Sequence, residues 1–314
     1  MVINLEDIEG IGPTTAKKLR EAGLTTIEVI AVTPIKELTT KTGLGDKTAV
    51  NISRKARNLI SADFITAKEV WERRQDMLRC STGSKKLDAI LAGGIETQAM
   101  TELIGEYSVG KTQICLTLCV TAQLSREKGG LEGNALVIDT EGTFSPERVH
   151  QIASAKGLDP QKILENIIIS RAYNSDHQCL LIDHLFKVCA EEKVKVVIVD
   201  SMIGHFRGEY IGRENLAERQ QKLNQCLHKL LRLAEIYNMA VVVTNQVQAN
   251  PAQFFGDPNK PAGGHVMAHA CTHRVYIRKG KGGSRLAKII DSPYLPESSA
   301  YFIITEKGIE DVPE

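Results

Sequence analysis

From residue 81 onward, short apolar runs alternate with longer stretches of helical period. Ala99–Ile104, Ala135–Ile138, Ile167–Ser170, Val194–Val199 and Ala240–Thr244 are rich in Val and Ile, while residues 111–125, 146–157, 175–192 and 215–237 repeat apolar positions at helical spacing. Apolar strands separated by helices predict an α/β fold with a parallel sheet covered on both faces. Further strand patterns at 274–278, 286–290 and 300–304 are joined by turns, and these predict antiparallel additions at one edge.

Residues 1–60 follow a different pattern. Short amphipathic stretches are broken by Gly-rich turns, with no long β-branched run. Ile8-Glu9-Gly10-Ile11-Gly12-Pro13 leads into Thr14-Thr15-Ala16-Lys17-Lys18-Leu19, and Thr42-Gly43-Leu44-Gly45-Asp46-Lys47 leads into Thr48-Ala49-Val50-Asn51-Ile52. Each reads as a turn opening a helix. A compact all-helical module of about five short helices fits this pattern. Residues 61–80 read as a linker, because Ser61–Glu69 has no amphipathic period of its own and Trp71–Asp76 is mostly polar. Phe64 is an apolar side chain in that linker and needs a place to pack, in its own chain or another. The division is therefore 1–60, 61–80 and 81–314.

Composition adds little until the charges are located. The 314 residues are 42% hydrophobic and 25% charged, an ordinary globular balance. No run approaches the roughly 18 apolar residues of a membrane span, and the N-terminus lacks the features of a signal peptide. The cysteines at 80, 115, 119, 179, 189, 226 and 271 are odd in number and form no C-x-x-C pair. They read as reduced, mostly buried thiols of a cytoplasmic protein rather than a disulfide framework or zinc cluster. The net charge of +1 alone argues against a polyanionic partner. Its distribution argues the opposite: residues 258–290 hold Lys260, Arg274, Arg278, Lys279, Lys281, Arg285 and Lys288 and no acid. A solvated face normally mixes signs, so this block favours a polyanion or bound phosphates.

Gly105-Glu106-Tyr107-Ser108-Val109-Gly110-Lys111-Thr112 fits G-x-x-x-x-G-K-T between a predicted strand and a predicted helix that continues with Gln113. Such a loop wraps nucleotide phosphates with backbone N–H groups; Lys111 reaches the outer phosphates and Thr112 faces magnesium. Asp200 ends an apolar strand beside that loop and suits a magnesium ligand through water, with helix capping as the alternative. Val137-Ile138-Asp139-Thr140-Glu141 ends another strand in two acids. Glu141 is the candidate for orienting a hydrolytic water, and Asp139 competes with it. Gln246 ends a third strand, either as a γ-phosphate sensor or as ordinary turn chemistry.

Two loop candidates carry polyanion chemistry. Ile203–Arg213 interleaves aromatic residues with Arg207 and Arg213, and Arg219 follows on a helix, where a salt bridge to Glu218 or Glu214 is the alternative. Gln248–Gly264 holds Phe254-Phe255-Gly256 and Gly263-Gly264, a long loop of the kind that is functional or disordered. The N-terminal G-φ-G turns with Lys17 and Lys18 either form an anion pocket of a helix-hairpin-helix unit or merely permit the turn.

Together these segments resemble the archaeal RadA recombinases, which are related to eukaryotic strand-exchange proteins and bacterial RecA. The resemblance covers nearly the whole chain. It rests on Gly10-Ile11-Gly12, Phe64-Ile65-Thr66-Ala67, Gly93-Gly94-Ile95-Glu96, Gly105–Thr112, Asp139–Phe144 and Arg171-Ala172-Tyr173-Asn174. Glu218-Arg219-Gln220-Gln221, Thr244-Asn245-Gln246-Val247, Gly263-Gly264-His265 and Asp291-Ser292-Pro293 complete it. It implies a RecA-like P-loop ATPase core behind a small all-α helix-hairpin-helix domain, acting in homologous recombination and DNA repair. It further implies that Phe64 and Ala67 enter a neighbour's pocket, that the linker adds a strand to the neighbour's sheet, and that Glu141 is the catalytic carboxylate. Arg148 would lie along the adenine, and Asp291 to Pro296 would cap the adjacent subunit's nucleotide. Arg207–Arg219 and Gln248–His269 would be the DNA-binding loops, with His269 linking the second loop to the γ-phosphate region. The family usually has Gly-Ser where this chain has Ser108-Val109.

The implied cofactors are ATP and Mg2+, with K+ a candidate activator. The implied partners are single- and double-stranded DNA and further copies of the chain in a helical filament or ring; no mediator is specified and no membrane is involved. The implied location is cytoplasmic, at the nucleoid. A regulatory ATP-binding paralogue without strand-exchange activity and a hexameric helicase on the same core are the alternatives. The N-terminal module and F-x-x-A count against the first, and the lack of a dedicated helicase domain counts against the second.

Overall fold

The computed structural model describes residues 4–60, 64–212, 214–249 and 259–313. The described residues divide into two compact units, one drawn from Met1–Asp76 and Ile182–Glu192, the other from Met77–Leu181 and Lys193–Glu314.

In the first unit a 3-10 turn at Leu5–Asp7 precedes α1 (Pro13–Glu21), α2 (Ile27–Val32), α3 (Ile35–Thr42) and α4 (Asp46–Leu59). Gly12 and Gly45 are the N-caps of α1 and α4, so both G-φ-G turns do open helices. Leu19, Ile30, Leu38 and Ile52 are fully buried and form the core of this small module. The expectation of an aperiodic linker needs correction. Helix α5 (Ala67–Arg74) lies within it, started by a reciprocal cap in which the Glu69 N–H donates to Thr66 Oγ1 and the Thr66 N–H donates to Glu69 Oε2. Local capping, rather than a buried face, starts this helix; none of its residues is buried.

The second unit runs through β1 (Arg79–Cys80), α6 (Lys85–Ile90), β2 (Ile95–Glu96), β3 (Ala99–Gly105), α7 (Lys111–Thr121), β4 (Asn134–Asp139), α8 (Pro146–Ala155), α9 (Pro160–Glu165) and β5 (Ile167–Arg171). It continues through α10 (Ser175–Glu191), which counts with the first unit from Ile182 onward, and through β6 (Val194–Asp200), α11 (Gly204–Glu209), α12 (Leu216–Tyr237), β7 (Ala240–Asn245), β8 (Val247–Ala249) and β9 (Asn259–Pro261). Last come α13 (Gly264–Ala270), β10 (His273–Lys279), β11 (Arg285–Asp291), β12 (Ser299–Thr305) and β13 (Gly308–Asp311). A nine-stranded sheet has the order β13-β12-β11-β10-β3-β7-β6-β4-β5. The strands from β10 to β5 in that order are parallel, and β11, β12 and β13 are antiparallel additions. The antiparallel edge thus begins one strand later than the turn pattern predicts, because β10 pairs parallel with β3.

Successive strand residues face opposite sides of a sheet. Val196, Ile198 and Val242 share one core cluster with Ile114, Cys115 and Leu118 of α7. The alternate positions Val197, Val199, Val241 and Val243 are also buried. Both faces are therefore covered, the second partly by α12, which packs on β3 and β7. This burial brings the C-terminal ends of β3, β4, β6 and β7 together, where doubly covered parallel sheets bind ligands.

Candidate nucleotide and nucleic-acid sites

The loop between β3 and α7 needs its glycines. A side chain at Gly105 would collide with the Ile277 carbonyl oxygen, and Gly110, at φ +106°, would drive one into Ile304 at 2.9 Å. A cavity of about 340 Å³ opens over this loop. Tyr107, Ser108, Gly110, Lys111, Thr112 and Gln113 line one side, and Glu141, Asp200, Gln246 and Arg285 line the rest. Val109 is buried beneath, and Glu106 is exposed. Lys111 Nζ donates to the Gly105 and Glu106 carbonyls, each at 2.8 Å. Burial holds its ammonium below the usual lysine range, against the opposing pull of Asp200 and Glu141.

Asp200 ends β6 and accepts hydrogen bonds from Thr112 Oγ1 at 2.7 Å and from Thr244 Oγ1. Burial pushes its carboxyl above the ordinary range; the two hydroxyl donors pull it back, and the charges of Glu141 and Asp139 add to the rise. Thr244, unassigned from the sequence, thus fixes the orientation of this carboxylate. Asp139 and Glu141 part company. Asp139 Oδ1 accepts the N–H groups of Glu141, Gly142 and Thr143, and Oδ2 accepts that of Phe144. Asp139 is thereby committed to shaping the turn, which leaves Glu141 exposed on the cavity wall. Gln246 Nε2 donates to Glu141 Oε1 at 3.0 Å.

These residues fit a nucleoside triphosphate with magnesium. The glycines let the loop pack close against Ile277 and Ile304 beneath the cavity, Lys111 stands at the cavity wall, and the hydroxyl of Thr112 meets the carboxylate of Asp200. Arg148, expected along a base, reaches the cavity only through Gln113, whose Oε1 accepts from Arg148 Nε at 2.8 Å. Its guanidinium also binds the Thr305 carbonyl. Arg285, expected only as part of the basic block, lines the cavity itself.

Asp291 and Pro296 do not join their own chain's cavity. Asp291 is in register with Arg274, which pairs with Glu102, whereas Gly105 is in register with Ile277. Three residues of strand, about 10 Å, separate those levels, and the chain leaves the sheet at Asp291. Tyr294 Oη meets Glu96, a buried carboxylate also held by Arg79 at 3.1 Å.

The sheet also revises the basic block. Arg274 donates to buried Glu102 at 2.6 Å, and Lys288 pairs with Glu297 at 2.8 Å. Glu102 of β3 and Glu297, just before β12, supply acids from outside the 258–290 window, so the block is less positive than its sequence. Arg278, Lys279 and Lys281 line a separate cavity of about 540 Å³ with Tyr301.

The first loop is not a bare loop. Arg207, half-buried, lies on α11, and Arg219, also half-buried, lies on the first turn of α12. Glu218, the alternative partner of Arg219, pairs instead with Lys222 at 3.5 Å. In the second loop Gln248 is exposed on β8, opposite Lys260 of β9. Gly263 caps α13 at φ +84°, Gly264 begins it, and exposed His269 stacks on His265 within it. Arg213 and Phe254 lie outside the described residues. The loop base is tied to the nucleotide end: the Ala262 N–H donates to the Gln246 carbonyl at 2.9 Å, and Asn245 Nδ2 donates to the Ala262 carbonyl at 2.7 Å. In the first unit, Phe64 is fully exposed at 107%, Ala67 is exposed, and Val70 and Trp71 follow on α5. Lys17 meets Glu21 at 3.9 Å, and Lys18 is exposed.

A phosphate-cradling loop at the end of β3, with an acid at the ends of β4 and β6, defines a P-loop ATPase core. Its relatives narrow that class. A sequence model of the Rad51 family matches residues 73–312, and one of the SAM-like helix-hairpin-helix tandem matches residues 2–62. The chain is similar to the DNA repair and recombination protein RadA of Aeropyrum pernix, with 50% identity over 308 residues, covering 98% of this chain and 97% of that one. The chain belongs to the Rad51 family.

Proposed function

We propose that this chain is a DNA repair and recombination protein, a DNA-dependent ATPase that assembles on single-stranded DNA and pairs it with homologous duplex. The observation that carries the reading is the 3.0 Å contact between Gln246 and Glu141 on the cavity wall. Gln246 is also the last residue before β8 and the partner of Ala262, so one residue touches both the nucleotide end and the base of the second loop.

Lys111 neutralises the outer phosphates and the loop amides hold them. Thr112, and Asp200 through water, would hold magnesium, which when bound would supply positive charge against the charge developing on the phosphoryl group. Glu141 orients and polarises the attacking water, and Gln246 senses what Glu141 faces. The change reaches the second DNA loop through the Gln246–Ala262 ladder. Arg148 flanks the base. Arg207, Arg213, Arg219, Gln248, Phe254, Gly263, Gly264 and His269 belong to the DNA surface, where phosphates supply most of the affinity.

Phe64 and Ala67 dock on a neighbouring copy, and Asp291–Pro296 cap that copy's nucleotide. The separation of Asp291 from its own cavity supports action between subunits. The domain division of 1–60, 61–80 and 81–314 belongs to the same reading. So do K+ as an activating ion and a cytoplasmic, nucleoid-associated location. Among the described residues no helix is long and apolar enough to cross a membrane.

The test is D-loop formation between single-stranded DNA and supercoiled homologous duplex. Wild type forms D-loops only with ATP and magnesium, and Lys111→Ala forms none. D-loops from Lys111→Ala at the wild-type level, or none from wild type that binds both ligands, would contradict the reading.

A further inference from the structure

Five of the seven cysteines, Cys80, Cys115, Cys119, Cys189 and Cys271, are buried, and burial holds the thiols of Cys80 and Cys189 up at about 12. The other two form a pair. Cys179 on α10 and Cys226 on α12 place their Sγ atoms 2.9 Å apart, 47 residues apart in sequence. Cys226 lies on the buried stripe of α12 with Leu223, Leu227 and Leu230, at 2% exposure. Cys179 is only half-buried. Cys179 is thus the member of the pair nearer solvent, and Cys226 stands behind it. This is the arrangement of an attacking and a resolving cysteine.

The surroundings give the pair a consequence. The first turns of α10 hold the segment before and along α12 through three ties. The Ser175 N–H donates to Glu209 at 2.8 Å, Gln178 Nε2 donates to the Met202 carbonyl at 3.0 Å, and Lys222 Nζ donates to Asp176 at 3.2 Å. A bond between residues 179 and 226 would close a ring of chain containing α11, Arg207 and Arg219.

We propose that Cys179 and Cys226 are a redox-modification site, oxidised by a small-molecule disulfide to an intrachain bridge that braces the Arg207–Arg219 segment between α10 and α12. The Cys179 thiolate attacks one sulfur of the reagent, forming a mixed disulfide and releasing one small thiol. The Cys226 thiolate then attacks Cys179 Sγ and releases the second. Two protein thiols are oxidised, one reagent disulfide is reduced, and the two protons leave on the two released thiols. That the braced segment touches DNA rests on the proposed function; the bond does not.

The test uses the full-length folded chain with oxidised glutathione, alkylation of remaining thiols, and digestion with trypsin without reduction. Cleavage after Arg171, Lys187, Lys222 and Lys229 isolates each cysteine in its own peptide. The expected product is Ala172–Lys187 linked to Leu223–Lys229, lost on adding dithiothreitol. In Cys226→Ser the glutathione adduct stays on Cys179, and in Cys179→Ser neither the link nor an adduct at Cys226 forms. Hydrogen exchange over Gly204–Glu209 should slow about tenfold in the bridged protein, as local opening is restrained. A stable glutathione adduct on wild-type Cys179 with no linked peptide, or linkage to another cysteine, overturns the site. A linked peptide with unchanged exchange overturns the bracing. Absence of DNA binding by the reduced protein would instead sink the proposed function and leave the link standing.

Discussion

The nucleotide end of the sheet and the contact surfaces of this chain are built in opposite ways. At the nucleotide end the acids already have intrachain partners. Asp200 holds two hydroxyls, Asp139 four amides, and Glu141 accepts from Gln246. The surfaces assigned to assembly do the reverse: Phe64 is fully exposed, Val70 and Trp71 are exposed behind it, and Asp291 leads away from its own cavity. The first region is organised by one chain's packing. The second acquires meaning only when another molecule covers it. On the proposed function, the chain's own packing preorganises the chemistry and leaves its control to assembly.

The largest expected break in that comparison is Lys111→Met. It should lower ATP turnover by about 1,000-fold, since the cation at the outer phosphates is lost. It should not lower the thermal midpoint. Burial depresses the folded-state pKa of Lys111. The charged form therefore carries a folding penalty that is full below that lowered value, shrinks as pH rises through it and is gone above the ordinary lysine range. Methionine removes the penalty at neutral pH. A fall in both turnover and midpoint, read by calorimetry, would show Lys111 to be a structural anchor.

Next in size is Glu141→Gln. Turnover should fall about 100-fold, the lower range for loss of a general base, with affinity for a fluorescent ATP analogue retained. Asp139→Asn separates the two acids: it should loosen the 141–144 turn and lower the thermal midpoint, an effect absent from Glu141→Gln.

Phe64→Glu attacks the other side of the comparison. Removing a buried aromatic side chain from an interface weakens it by about 2–3 kcal/mol, some 30- to 150-fold in association constant. Light scattering should show smaller oligomers, while the monomer's melting is unchanged because Phe64 is fully exposed among the described residues. An unchanged size distribution would make the linker a spacer only.

The smallest effect is expected of Arg219→Ala. Losing one phosphate contact should reduce the slope of log K for single-stranded DNA against log salt by about 0.7. An unchanged slope would assign Arg219 to the helix alone.

How much of this was legible in the sequence follows the same divide. The P-loop could be read because backbone sterics demand Gly105 and Gly110 and phosphate chemistry demands Lys111, all within one short segment. The strands could be read because two-sided burial leaves unbroken apolar runs such as Val196–Val199. Features made by residues far apart were hidden. Thr244 orienting Asp200, Arg285 facing the cavity, and Glu102 neutralising Arg274 all depend on strand order, which periodicity does not carry. Glu102 did leave one trace, a lone charge inside an apolar strand. Helix α5 was missed because its cap, rather than an apolar stripe, defines it. Helices α11 and α13, of six and seven residues, are too short for a period to declare itself.

On the proposed function, ATP held between copies of this chain fixes an extended assembly on DNA. Electron microscopy of the wild-type protein with single-stranded DNA, magnesium and a non-hydrolysable ATP analogue tests it most directly. Continuous helical filaments are expected, with Asp291–Pro296 of one subunit against the cavity over Lys111 of the next. Discrete rings or isolated subunits under those conditions, or filaments with that segment away from the neighbouring cavity, would contradict it.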